Sequence, residues 1–96
     1  MKKEYDYLIV GAGLYGAVFA YQATQNGKKC LVVDRRPHIG GNLYCENIAG
    51  INVHQYGPHI FHTNLEEVYE YFSRFTEWYA FGHKVVAKVG EELIPV

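Results

Sequence analysis

The chain opens on two short apolar runs separated by a helical pattern. YDYLIV, Tyr5 to Val10, ends in four apolar or aromatic residues, and CLVVD, Cys30 to Asp34, repeats the theme. Runs this short, with no polar face, read as buried strands of a parallel sheet. Between them Leu14, Ala17, Val18 and Tyr21 recur at helical spacing and predict a helix over 14–26. Gly27 supplies a stop, and Lys28 and Lys29 suit the negative end of the helix dipole. Strand, helix and strand together make a βαβ unit of about thirty residues, the usual size.

Downstream the pattern is less regular. RRPHIGGN reads as a loop, with Pro37 and the Gly40-Gly41 pair as breakers. Residues 48–53 predict an irregular strand and turn. Thr63 and Glu66 have the spacing of a capping box, so a helix is expected from about Asn64 to Phe75. Leu65, Val68, Tyr69, Phe72 and Phe75 give it one apolar face. Residues 83–89 predict a strand, Gly90-Glu91 a turn, and 92–96 a returning strand. The expected class is α/β: a Rossmann-like βαβ unit, then a helix and a short β-hairpin. Two parallel strands do not complete a doubly wound sheet, so residues 1–96 are expected to be part of a longer protein.

Composition changes this picture little. Ninety-six residues make one small domain at most, with a thin core. A net charge of −1 excludes nucleic acid or an anionic membrane as partners through bulk electrostatics. Nine tyrosines suit a large buried or ligand-facing surface. Cys30 and Cys45 lack metal-finger or CxxC spacing; Cys30 is expected to be a buried small hydrophobe, and a reducing, cytoplasmic setting fits. The N-terminal apolar run is too short for a signal sequence, and no stretch is long enough to span a membrane.

The chemistry lies in the turns. GAGLYG matches G-x-G-x-x-G in its required context, after a strand and opening a helix. Gly11 permits the tight turn, Gly13 the approach of a diphosphate, and Gly16 the close packing of helix on strand. Leu14, Tyr15 and Gly16 then offer backbone N–H groups to the phosphates. Asp34 ends the second strand, where a carboxylate can accept the ribose hydroxyls of an adenosine. Asp34 disfavours a 2′-phosphate, and Arg35 and Arg36 mildly favour one. The loop after Asp34 decides for FAD in the glutathione-reductase manner: a basic residue follows the acid, and Gly40 and Gly41 admit the cofactor's diphosphate and ribityl chain. Asn42 can hydrogen-bond to it.

YDYLIVGAGLYGAVFA, VVDRRPHIGGN, YGPHIFHT and HKVVAKVGEELIPV together resemble the N-terminal part of bacterial UDP-galactopyranose mutases. GGN followed by YGPHIFHT is the specific part. Asp34 stands where that family commonly has glutamate, and Pro58 where it has a small residue. The resemblance implies that the full enzyme interconverts UDP-galactopyranose and UDP-galactofuranose. Reduced FAD would act through N5 on the anomeric carbon, expelling UDP and forming a flavin–sugar adduct, with no net redox change. The protein's share is orientation and electrostatics. The arginines that clamp the substrate diphosphate are expected beyond residue 96.

His54, His59 and His62 lack the convergent partners of a metal site, and none is expected. By resemblance His59 lies against the flavin near N5, with Ile60 beside it, shaping the pocket; an acid–base role is conceivable. His62 is either near the cofactor or an ordinary loop histidine, His38 is expected to face solvent, and His83 falls near the edge of the substrate pocket. The competing readings are another flavoprotein of the same fold, such as an amine oxidase, and a module that binds nothing. The 96-residue chain itself is expected to be inactive, to hold FAD weakly, and to self-associate through unpaired strand edges.

Overall fold

The computed structural model describes residues 4–82 and 84–96. The chain divides into two compact units, one ending at Phe61 and one running from His62 to Val96.

The first unit begins with the expected βαβ motif. Strand β1 (Tyr7–Val10) pairs in parallel with β2 (Cys30–Val33), Tyr7 facing Cys30 and Val10 facing Val33. Helix α1 (Leu14–Gln25) connects them. It ends in a Schellman motif: the Gly27 N–H donates to the Thr24 carbonyl and the Lys28 N–H to Ala23, with Gly27 at φ +74°. β1 starts two residues later than the apolar pattern suggests. At Asp6 the chain is held differently, its N–H on the Lys29 carbonyl (2.7 Å) and its carboxylate on the Lys29 N–H (2.8 Å).

The buried side of α1 agrees only in part with the expected Leu14–Ala17–Val18–Tyr21 face. Val18 and Tyr21 are half-buried, but Leu14 and Ala17 are exposed, while Ala23 is buried and Gly16 and Ala20 are half-buried. Gly16 packs on Ile9 and on the Gly11 carbonyl. Small residues let the helix lie close to the strands.

The two strands are not buried as their apolar runs imply. Ile9 and Ala23 are the buried apolar residues among those described, whereas Val10 is 80% exposed. Cys30 is half-buried rather than enclosed. A two-stranded sheet with one helix cannot cover both of its faces.

After β2, a loop leads to a single 3-10 turn at Gly41–Leu43. Then, where an irregular strand and turn are expected over 48–53, comes a regular antiparallel hairpin of β3 (Cys45–Ile48) and β4 (Ile51–His54), whose first strand the sequence pattern missed. Its two turn residues, Ala49 (φ +53°) and Gly50 (φ +81°), have the left-handed backbone of a tight hairpin turn. Alanine at the first position, in place of the favoured asparagine or aspartate, hides the turn from sequence reading.

In the second unit, helix α2 (Glu66–Ser73) is shorter than expected at both ends. The capping box does not form. Leu65 is the N-cap residue, and the Thr63 hydroxyl instead accepts the Leu65 N–H at 3.1 Å. Val68, Tyr71 and Phe72 are half-buried; Leu65, Tyr69 and Phe75 are exposed. The final hairpin pairs β5 (Val86–Val89) with β6 (Glu92–Pro95) around Gly90-Glu91, at the expected turn. His83 lies outside the described residues, and so does the expectation that it edges a substrate pocket.

Candidate functional site

The site is built where β1 ends and α1 begins. Gly11 turns the chain at φ +107°, and its N–H is tied to the Val33 carbonyl at 2.7 Å. Gly16 is the glycine the packing cannot replace: a Cβ there would lie 2.3 Å from the Gly11 carbonyl oxygen and 3.1 Å from Ile9. Gly13 is the N-cap residue of α1 and supplies no side-chain cap, nor does any acidic residue occupy the first turn. The positive end of the helix is therefore left without a side-chain partner, as anion binding at a helix N-terminus requires.

Asp34 closes the motif from the second strand. One carboxylate oxygen accepts the Ala12 N–H and the other the Arg36 N–H, each at 2.7 Å. The Ala12 bond, then the Arg36 bond, and more weakly the charge of Arg36, hold the carboxyl below the usual aspartate value. It is a carboxylate at neutral pH, and it joins the glycine turn to the following loop. Two oxygens offer about four lone-pair sites, so hydroxyl donors can still be accepted beside these two amides.

The second glycine turn meets the first. Gly40 donates its N–H to the Ala12 carbonyl at 2.8 Å. Gly41 stands at φ +59°, and a Cβ on it would come within 2.8 Å of the Gly13 Cα. The two turns touch through bare backbone, and side chains on both would hold them apart. Beside this contact lies an open cleft of about 630 Å³. Its wall includes Gly11, Gly13, Leu14, Tyr15 and Gly16 from the first turn, Gly40 and Asn42 from the second, and His59.

The expected site residues therefore divide. The glycines of the first turn, Leu14, Tyr15, Asn42 and His59 face one cleft. Gly41 and Asp34 stand behind it, as contact and as tie. Arg35 and Ile60 are exposed and do not line it. His59 is exposed, with its Nδ1 2.9 Å from the Gly57 carbonyl. That carbonyl can only accept, so Nδ1 is the donor of this contact. His54 ends β4 opposite Cys45, and His62 is exposed in the second unit. Among the described residues no group of histidine, cysteine or carboxylate side chains could hold a metal ion.

Sequence reasoning missed the support of this loop. Arg36 donates through Nη1 to Asn42 Oδ1 (3.1 Å), and its guanidinium lies 4.0 Å from the centre of the Tyr56 ring. His38 is not solvent-facing: it is half-buried and stacks on Tyr44 at 3.8 Å between ring centres. A faint signal existed, since Arg36 had been weighed for a 2′-phosphate, but Tyr44 and Tyr56 gave none.

Residues 9–75 match the family model described as NAD(P)-binding Rossmann-like domain. The chain belongs to that family. The matched span contains both glycine turns, Asp34 and His59. Among curated proteins, it is 43% identical to the UDP-galactopyranose mutase of Mycoplasma genitalium, over 94% of this chain and 23% of that protein. It is 41% identical to a probable UDP-galactopyranose mutase of Klebsiella pneumoniae, over 90% of this chain and 23% of the relative. A dTDP-fucopyranose mutase of Escherichia coli is 46% identical over 71% of this chain and 19% of its own length. The chain thus spans about a fifth to a quarter of the length of these relatives. No helix among the described residues is long and apolar enough to cross a membrane.

Proposed function

We propose that residues 1–96 are the N-terminal, FAD-holding part of a UDP-galactopyranose mutase. The observation that supports this most is the meeting of the two glycine turns beside a cleft that His59 also lines. A Rossmann-like turn alone fits any dinucleotide. The second turn, its asparagine and the YGPHIFHT stretch carry the resemblance to the mutases that supports the narrower reading.

The residues present fit FAD. The uncapped N-terminus of α1, with the backbone N–H groups of Leu14, Tyr15 and Gly16, would hold its diphosphate. Asp34 accepts the adenosine ribose hydroxyls and repels a 2′-phosphate. Arg36 is already engaged by Asn42 and Tyr56, which removes one guanidinium that such a phosphate would need. Gly40 and Gly41 admit the chain of the cofactor, and Asn42 orients it. His59, which lines the cleft, would border the ring system and shape the pocket. Reduced flavin supplies a nucleophilic nitrogen for the change of sugar ring size, and the chain's own residues hold and orient it.

The 96 residues alone carry out no turnover, because substrate-clamping groups lie in the remainder of the enzyme. The exposed apolar surface of β1 and α1 favours self-association, and a cytoplasmic setting suits a nucleotide-sugar substrate.

The test is made on the full-length protein. It should purify with the visible absorption of flavin and convert UDP-galactofuranose to UDP-galactopyranose after dithionite reduction only. A colourless protein would refute the flavin reading. Equal inactivity of oxidised and reduced forms would refute the mutase reading. A second substrate class is favoured by the Escherichia coli relative, whose name places it on a dTDP-linked sugar. Parallel assays with dTDP-fucofuranose separate the two.

A further inference from the structure

Behind the second glycine turn, outside the cleft wall, lies a cluster with no part in the reading so far. His38, Tyr44 and Tyr56 pack together, with Arg36 beside them. The His38 ring is held on three sides. Its Nδ1 is 3.0 Å from the Ile39 carbonyl, its Nε2 is 2.7 Å from the Tyr56 hydroxyl, and its face stacks on Tyr44 at an interplanar angle of 7°. A carbonyl only accepts, so Nδ1 carries the proton. In the neutral ring Nε2 then accepts from the Tyr56 hydroxyl. The backbone contact sets the tautomer of that form, with Tyr56 as the donor.

The contacts with Tyr44 and Tyr56 cross the loop, and the one with Ile39 is local. His38 precedes Gly40, Tyr44 follows Leu43, and Tyr56 comes from just beyond β4. Tyr44 is anchored in turn: its hydroxyl donates to Glu46 Oε1 at 2.8 Å, and its carbonyl accepts the Gln55 N–H at 3.2 Å. Gly40, Asn42 and Leu43 line the cleft from between these fixed points. Gly40 and Gly41 both need left-handed backbone, and two adjacent glycines carry much conformational freedom when unconstrained. The cluster supplies the constraint.

We propose that His38 is a positioning residue: clasped by Tyr44 and Tyr56, it holds the Gly40–Asn42 turn in the shape that receives the dinucleotide, without touching it. The proposal rests on the flavin reading for its affinity consequence, but its structural half does not.

Three variants test it: His38→Phe, which keeps the stack on Tyr44 and loses both ring hydrogen bonds; Tyr56→Phe, which loses one bond and keeps the ring under Arg36; and the double variant. The first readout is amide hydrogen exchange in the 96-residue chain. Exchange at Gly40, Leu43 and Tyr44 should quicken about tenfold in His38→Phe and about threefold in Tyr56→Phe, the range that one or two lost hydrogen bonds supply. Exchange at Ile9 and Val32 should stay unchanged, which a general loss of structure would not permit. The second readout is FAD affinity of the full-length apoprotein, weakened by similar factors, with the double variant no worse than His38→Phe because the lost bond is shared. Unchanged exchange at the turn in folded variants overturns the proposal. Quickened exchange with unchanged FAD affinity overturns its functional half. Should the wild-type protein hold no flavin, the mutase reading falls, and exchange alone judges the clasp.

Discussion

Among the described residues, side-chain hydrogen bonds of different reach can be compared in the two units. In the first, single side chains join distant parts of the sequence. Asp34 binds the Ala12 N–H, twenty-two positions away, and Asp6 binds the Lys29 N–H, twenty-three away. In the second, bonds reach along the local chain: Trp78 Nε1 donates to the Ser73 hydroxyl, which donates to the Tyr69 carbonyl. The candidate site lies in the unit with the long ties. A cleft that holds a ligand across several chain segments needs its walls fixed to one another, and local bonds cannot do that.

Substitutions should break the two units differently. The largest effect is expected for Gly16→Val, which places side-chain atoms against the Gly11 carbonyl and Ile9. Overpacking against backbone should cost on the order of 3 kcal/mol or more. Urea unfolding followed by circular dichroism should show the first unit lost; near-wild-type stability would mean that α1 can move off the strands.

Next comes Asp34→Ala, which removes the tie and a ribose acceptor together. FAD affinity of the full-length protein should fall about tenfold or more, as expected when charge-assisted bonds are lost. Affinity unchanged by titration would mean the ribose contact is misassigned. The pH behaviour of the same residue has a definite sign. Its carboxyl is held below the ordinary value of 3.8, first by the Ala12 N–H bond, so the folded state binds its proton more weakly than the unfolded chain. Its contribution is fully present above that ordinary value and is lost as pH falls through the lowered one. Asp34→Asn should therefore flatten the acid limb of the stability profile below about pH 4 and lower its neutral plateau without changing the slope there. An identical acid limb would contradict this.

Ala49→Gly acts in the opposite direction. Relief of a left-handed alanine in the β3–β4 turn should stabilise the hairpin by about 1 kcal/mol, set against the greater freedom of glycine in the unfolded chain. A lower melting temperature would show that the turn is not strained. The smallest effect is expected in the second unit. Thr63→Ala removes the bond to the Leu65 N–H and should cost roughly 0.5 kcal/mol, read as fraying of α2 by amide exchange, with the first unit unaffected. A loss as large as that of Gly16→Val would erase the distinction between the units.

The βαβ unit was legible because its parts announce themselves locally. Gly27 stops α1 wherever the helix packs, and the G-x-G-x-x-G turn carries its backbone conformation in its residue types. The first strand of the β3–β4 hairpin was missed because Ala49 occupies a position where sequence reading looks for asparagine or aspartate. The Thr63–Glu66 box was over-read: the spacing was present, but the helix starts two residues later than it implies. His38 was misplaced because its partners, Tyr44 and Tyr56, come to it only after the loop and hairpin fold back.

By itself, then, the sequence determined the order of β1, α1 and β2, the two glycine turns, Asp34 at the end of the second strand, and the histidine stretch that includes His59. Those follow from backbone preference and hydrophobic spacing, which act between near neighbours. Only the tertiary structure decided that Gly13 and Gly41 touch, that Asp34 spends its carboxylate on Ala12 and Arg36, that His59 joins their cleft while Ile60 and Arg35 do not, and that His38 is clasped from behind. These depend on which chain segments are brought within a few ångströms of each other, and that is a property of packing, which no single stretch of residues contains.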